Sequence, residues 1–160
     1  MTQNFMDPQI AQALRLIPYG IYLLIAGPKE KEKAMVVSWV TQVSYSPLLI
    51  ATVLRHNRPV LKLLPEGSLL SLNLLKNEHK SFVPILKSSS SLNLAGFNFQ
   101  RGIADILYLK DALATWFGEV HSLISIGDHI LVVNKIKAAH FTAGRPLTTW
   151  DYGKTYLGQE

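Results

Sequence analysis

Residues 34–53, AMVVSWVTQVSYSPLLIATV, constrain the fold more than any other stretch of this chain. Val36, Val37, Val40, Thr41 and Val43 suit a pleated surface better than a helix, because their branched side chains are crowded against a preceding helical turn. Pro47 lacks an amide donor and marks the turn into a second apolar run at 48–54. The pattern predicts two strands, about 34–43 and 48–54, joined by a polar and aromatic hinge at 42–47. Ser38, Thr41, Gln42 and Ser44 interrupt an otherwise buried pattern, so they need partners, either backbone or a bound ligand.

The rest of the chain extends this strand-rich pattern. Asp7-Pro8 is a helix start, and Ile10, Ala13, Leu14 and Ile17 give one apolar face before Pro18, as in a short helix covering a sheet. Residues 19–26, YGIYLLIA, read as a strand that is apolar on both faces, and the alternating charges of 29–33 read as a solvated hairpin tip. In 68–75, SLLSLNLL, leucines alternate with Ser71 and Asn73, which places Asn73 at an edge or facing a cleft. Residues 76–100 form a long excursion with a helical turn near 82–86; regular structure returns at 103–109, and 112–124 and 128–139 read as two strands joined by a turn around 125–127. An aromatic tail with Trp150, Tyr152 and Tyr156 is suited to packing across the body or across a second copy. Six or more strands, few helices and no βαβ alternation favour an all-β barrel or sandwich, in a chain of 160 residues that fits one domain.

Composition narrows the function classes. With no cysteine there is no disulfide framework, thiolate metal site or cysteine nucleophile. The five histidines show no HExxH spacing, so no metal site is expected, and neither GxGxxG nor a Walker A sequence is present. Of sixteen Lys and Arg, nine lie in the first eighty residues beside five of the eleven acids, a mild asymmetry that suits a small anionic ligand as well as a solubilising surface. Basic residues are not interleaved with aromatics, so no nucleic-acid partner is expected. The start MTQNFMDPQI lacks the basic and apolar parts of a signal peptide and no run is long enough to span a bilayer, so no membrane partner and a cytoplasmic location are expected.

Two clusters have the residue types that chemistry needs. Arg55-His56-Asn57-Arg58 follows a strand and precedes Pro59; its two guanidinium groups could clamp a phosphate, and an exposed turn reads equally well. In Gly127-Asp128-His129 the glycine permits a tight turn and Asp128 can orient the imidazole of His129 at a strand rim. A capped turn with a half-buried histidine is the plain alternative to a hydrogen-bonding or proton-transferring role.

Several strings together carry a resemblance. Ala34-Met35, Ser38-Trp39-Val40, Gln42, Ser44-Tyr45 and Pro47 are similar to the AM-x-x-SWV-x-Q-x-S-[FY]-x-P segment of the flavin reductase domains attached to diflavin flavoproteins. RLIPYG at 15–20, the strand at 70–75 and Gly127-Asp128-His129 follow the same pattern, in the same order. The chain thus resembles the flavin reductase-like, FMN-binding split-barrel family over about residues 13–156. The resemblance implies one domain over 1–160, an all-β fold built as a six-stranded Greek-key split barrel with short helices, a homodimer, and FMN as cofactor. It implies an oxidoreductase drawing electrons from NAD(P)H or a redox protein partner; an electron-transfer or flavin-storage protein without NAD(P)H turnover is the alternative, and a pyridoxal- or haem-related split barrel is a third. Carried over residue by residue, Ser38, Trp39, Val40, Thr41 and Gln42 would line the flavin ring and ribityl chain. Ala51, Thr52 and Val53 would supply the neighbouring strand, Arg55, His56 and Arg58 the phosphate loop, and Asn73 a ribityl contact. Asp128 and His129 would stand at the rim as the catalytic residues. Val60 replaces a threonine common in the family at that point, which removes one phosphate donor.

Overall fold

The structure, a computed structural model, describes residues 7–88, 92 and 96–153. Among the described residues, nine strands form two sheets: β1 (Tyr22–Ala26), β2 (Lys33–Val37), β3 (Val40–Tyr45), β4 (Leu48–Arg55), β5 (Leu69–Leu74), β6 (Phe99–Arg101), β7 (Leu107–Leu109), β8 (Ala114–Ile126) and β9 (His129–Phe141). Seven of them make one antiparallel sheet in the order β2-β1-β5-β8-β9-β4-β3, and β6 and β7 make a separate ribbon.

This corrects the expected six-stranded split barrel. No ladder joins β2 to β3, so the large sheet is open and both are edge strands. The strand expected over 34–43 is in fact two, which pair at opposite edges of the sheet and are separated in sequence by only Ser38 and Trp39. The break has a backbone cause: the Val40 amide donates to the Ser38 carbonyl at 2.9 Å, and the Val53 amide donates to the Trp39 carbonyl at 2.9 Å. Those bonds turn the chain away from β1 and weld the crossing to β4.

Two apolar clusters lie on opposite faces of the sheet. Along β1, Leu24 and Ala26 join Ile50, Leu54, Leu72 and Val132, closed off by Val60 of the 3-10 turn Pro59–Leu63 and by Leu64, which caps it. Leu23 and Ile25 point the other way, to Val83 and Leu86 of α2 (Val83–Ser88), to Leu109 of the ribbon and to Leu147. The two-faced apolar character of 19–26 follows from this, and Val60 is a core residue. Of the aromatic tail, Tyr152 packs against the second cluster while Trp150 stays 61% exposed; just before it, the Leu147 amide donates to the Leu75 carbonyl and the Leu147 carbonyl accepts from the Ile21 amide. Tyr156 and the Asn-rich piece at 93–95 lie outside the described residues.

Three local expectations are met or revised. Asp7 caps α1 (Pro8–Leu14), its carboxylate accepting from the Gln9 and Ile10 amides. The helix buries none of its residues, so Ile10 and Leu14 stay open instead of covering the sheet. The charged tip is pinned, because Arg101 donates to Glu32 at 2.7 Å and Lys29 bonds Asp105 at 2.8 Å, tying the β1–β2 hairpin to the ribbon.

His79 is buried in the 3-10 turn Asn77–Phe82, where its Nδ1 accepts the Lys76 amide at 3.0 Å. Burial pushes its pKa below the ordinary value, with Lys76 adding to the shift and Glu78 and Asp111 opposing it. Below the ordinary histidine range, about 6.5, the unfolded chain takes up a proton that the folded chain resists, so stability falls as pH drops through that range. We expect the urea midpoint to fall between pH 7.5 and 5.5, and His79→Gln, which keeps the acceptor and cannot titrate, to flatten the fall. Identical slopes for the two proteins would assign the acid sensitivity to other groups.

Candidate functional site

The crossing at Ser38 and Trp39 and the turn between β8 and β9 meet at one corner of the sheet. β4 runs antiparallel to β9 and their last pair is Arg55 with His129, so the end of β4 delivers the Arg-rich loop to the Gly-Asp-His turn. Gly127 takes φ +55°, the left-handed region that glycine enters without a Cβ penalty. The His56 amide donates to the Asp128 carbonyl at 3.4 Å, and His56 Nε2 lies 3.3 Å from the Gly127 carbonyl and 3.5 Å from Ser125 Oγ.

Around this corner the side chains are ordered by contact. His129 Nδ1 donates to Asp128 Oδ1 at 2.6 Å, and the imidazole stacks on the indole of Trp39 with centroids 5.0 Å apart and planes 25° apart. Tyr19 lies against the same indole, 6.3 Å between centroids. Trp39 keeps 45% of its surface exposed even so. The His129 hydrogen bond holds the Asp128 carboxyl below the usual carboxylate range, and the charge of Arg55 adds to the shift. Asp128 is 84% exposed and His129 only 16%, so the carboxylate is the solvent-facing end of the pair. Arg55 Nε is buried and has no hydrogen-bond partner among the described residues.

The remaining sequence candidates divide. Val40 and Val53 are half-buried beside the crossing, and Ser38 is buried within it. Thr41 and Gln42 are exposed on β3, whose outer edge no strand covers; their side chains bond locally to the carbonyls of Gln42 and Ser44. Ala51 and Thr52 are buried, and Thr52 Oγ1 accepts from Asn134 Nδ2 at 3.4 Å. Asn73 is fully buried and uses its amide internally, donating to the Leu23 carbonyl and Ser71 Oγ and accepting from the Leu109 amide and Thr115 Oγ1. It joins the ribbon to the main sheet and leaves none of its surface exposed toward the expected ribityl contact. Tyr19 and Ser125 were not singled out by sequence; nothing local separates them from strand residues, and only the fold brings them to this corner.

The profile of the flavin reductase like domain matches residues 14–158. The chain belongs to the flavin reductase-like family. It is 26% identical over 154 residues to diflavin flavoprotein A 1 of Synechocystis sp., a match covering 93% of this chain and 27% of that protein. The chain thus spans about a quarter of the length of the diflavin flavoproteins it matches. Among solved structures, the styrene monooxygenase flavin reductase of Pseudomonas putida S12 superposes with a TM-score of 0.75 at 25% identity, covering 88% of this chain and 91% of that one. The NADH:FAD oxidoreductase of Streptomyces globisporus C-1027, solved with NAD and FAD fragments, superposes with a TM-score of 0.76 at 19% identity, covering 91% of each chain, and shares the fold. Among the described residues, no helix of this flavin reductase-like chain is long and apolar enough to cross a membrane.

Proposed function

We propose that this chain is an FMN-binding oxidoreductase of the flavin reductase type, passing electrons from NAD(P)H or a protein donor through the bound flavin. The observation that carries the reading is the corner itself. There a buried Arg55 Nε with no partner among the described residues, the loop cations, an uncovered strand edge and a carboxylate-held imidazole converge. Membership of the family supports it, as do the names of the matched flavin reductase and NADH:FAD oxidoreductase.

The residues fit the cofactor. A phosphate suits the buried Arg55 Nε, which has no hydrogen-bond partner among the described residues, and Arg58 and His56 on the same loop add charge and a donor to the seat. The half-buried Val40 and Val53 offer an apolar wall, and the open edge of β3 at Thr41 and Gln42 offers backbone donors and acceptors for a polar ring edge. Bound FMN supplies the hydride- and electron-accepting chemistry. His129, with Asp128 on Nδ1, presents Nε2 at the rim to hydrogen-bond the ligand or hold a proton there. A homodimer belongs to the same reading. Val43, Tyr45, Leu123, Ile124 and Ile126 are exposed on β3 and the β8–β9 arm, with Tyr45 at 89%, and a second copy would cover them.

The test is the visible spectrum of the purified protein reconstituted with FMN, before and after anaerobic NADH and NADPH. We expect flavin bands that bleach with at least one nucleotide. Bands that persist with both would make the chain an electron-transfer module fed by another protein. Absence of flavin bands after reconstitution would remove the flavin reading altogether.

A further inference from the structure

We infer that Trp39 is the positioning residue of His129, acting on the reaction through the imidazole and not through contact with the flavin. This rests on the oxidoreductase reading above. An imidazole on a strand rim has two soft torsions, and a hydrogen bond to one nitrogen restrains the ring within its own plane while leaving the plane free to swing. Asp128 supplies the first restraint, at 2.6 Å on Nδ1, from the turn that also fixes Gly127. Trp39 supplies the second: its indole lies against the imidazole face at 5.0 Å and 25°, an arrangement near offset stacking. The indole is itself backed by Tyr19, and its backbone is anchored by the Val53 amide on the Trp39 carbonyl.

With Nδ1 bound and one face covered, Nε2 is left as the nitrogen aimed at a ligand. Its role is fixed by the tautomer, because an imidazole donating from Nδ1 accepts at Nε2 when neutral and donates there when protonated. The crossing residue therefore does more than turn the chain. The same two residues that separate β2 from β3 place an aromatic platform beside the β8–β9 turn, and the sequence pairs Ser38-Trp39 with Gly127-Asp128-His129 through space alone.

A double-mutant cycle tests this. Trp39→Leu should slow NAD(P)H-driven flavin reduction about tenfold while leaving FMN affinity within about twofold. His129→Gln alone should slow it about a hundredfold, within the usual span of acid–base and hydrogen-bonding contributions. Adding Trp39→Leu to His129→Gln should change the rate less than about twofold, since the platform then has nothing to position. Trp39→Phe, which keeps a ring, should recover most of the rate. Additive losses in the double variant, or an FMN affinity that falls in step with the rate, would overturn the inference and make Trp39 a flavin contact.

A second readout needs no turnover. In the nuclear magnetic resonance spectrum the His129 ring protons should lie upfield under the indole and move downfield in Trp39→Leu. Resonances unchanged by that substitution would overturn the stack itself. A wild-type protein that shows the upfield shift but no nucleotide-driven reduction would instead defeat the NAD(P)H-driven branch of the oxidoreductase reading, and with it the use of the platform in nucleotide-driven reduction.

Discussion

Asn73→Ala is expected to destabilise the protein by about 3–5 kcal/mol and to lower Tm by roughly 6–20 °C. The side chain is fully buried, and all four of its hydrogen bonds stay inside the protein: Nδ2 to the Leu23 carbonyl at 2.9 Å and Ser71 Oγ at 3.0 Å, Oδ1 from the Leu109 amide at 3.0 Å and Thr115 Oγ1 at 2.9 Å. Alanine removes the hub and leaves the spokes. The Thr115 hydroxyl can rotate to another acceptor, and the Ser71 hydroxyl, which loses only a donor, keeps its own bond to the Leu107 carbonyl at 2.6 Å. The Leu109 amide cannot rotate, and an unsatisfied buried donor costs about 1–3 kcal/mol by itself, before the lost packing. Urea unfolding measures the total, and amide exchange at Leu109 locates it, since that bond ties β7 to β5. A loss below about 1 kcal/mol would mean that water or a shifted ribbon replaces the network. The residue that the family resemblance assigned to a ligand is thereby tested as a structural joint.

What the sequence made legible is what local chemistry controls. Asp7 before Pro8 specifies a cap whatever the rest of the chain does, and the structure uses it. Pro47 stops β3, and Gly127 turns β8 into β9, because backbone geometry at those points depends on the residue itself. The unbroken apolar run at 22–26 is explained by cores on both faces of β1. The failures are all long-range. Nothing between Val37 and Val40 is a breaker, so the run reads as one strand; the amide that bends it belongs to Val53, on the next strand. Alternating charges at 29–33 look solvated until Arg101 and Asp105, far along the chain, supply their partners. Asn73 alternates with leucines as a surface residue would, yet its partners come from β1, β7 and β8. At the candidate site the same division holds: both clusters were visible as residue types, whereas their meeting at Arg55 and His129, and the stacking of Trp39 on that imidazole, are products of register.

Arg58→Ala is expected to weaken FMN by about ten- to a hundredfold while changing riboflavin binding little, since a charge-assisted bond to phosphate is worth roughly 1.5–3 kcal/mol and riboflavin has no phosphate. Arg55→Lys sharpens the test. Lysine preserves the charge at the end of β4 but has nothing equivalent to Nε, the nitrogen that is buried without a partner among the described residues. If that nitrogen meets the phosphate, Arg55→Lys should lose most of what Arg55→Ala loses, and the loss should survive added salt, because a buried contact is screened less than an exposed one. If Arg55 only contributes field, lysine should restore most of the affinity at low ionic strength and progressively less as salt is added. Titration of FMN and riboflavin into each variant, followed by flavin fluorescence, separates the two cases. Equal losses for both ligands in both variants would take the phosphate off this loop.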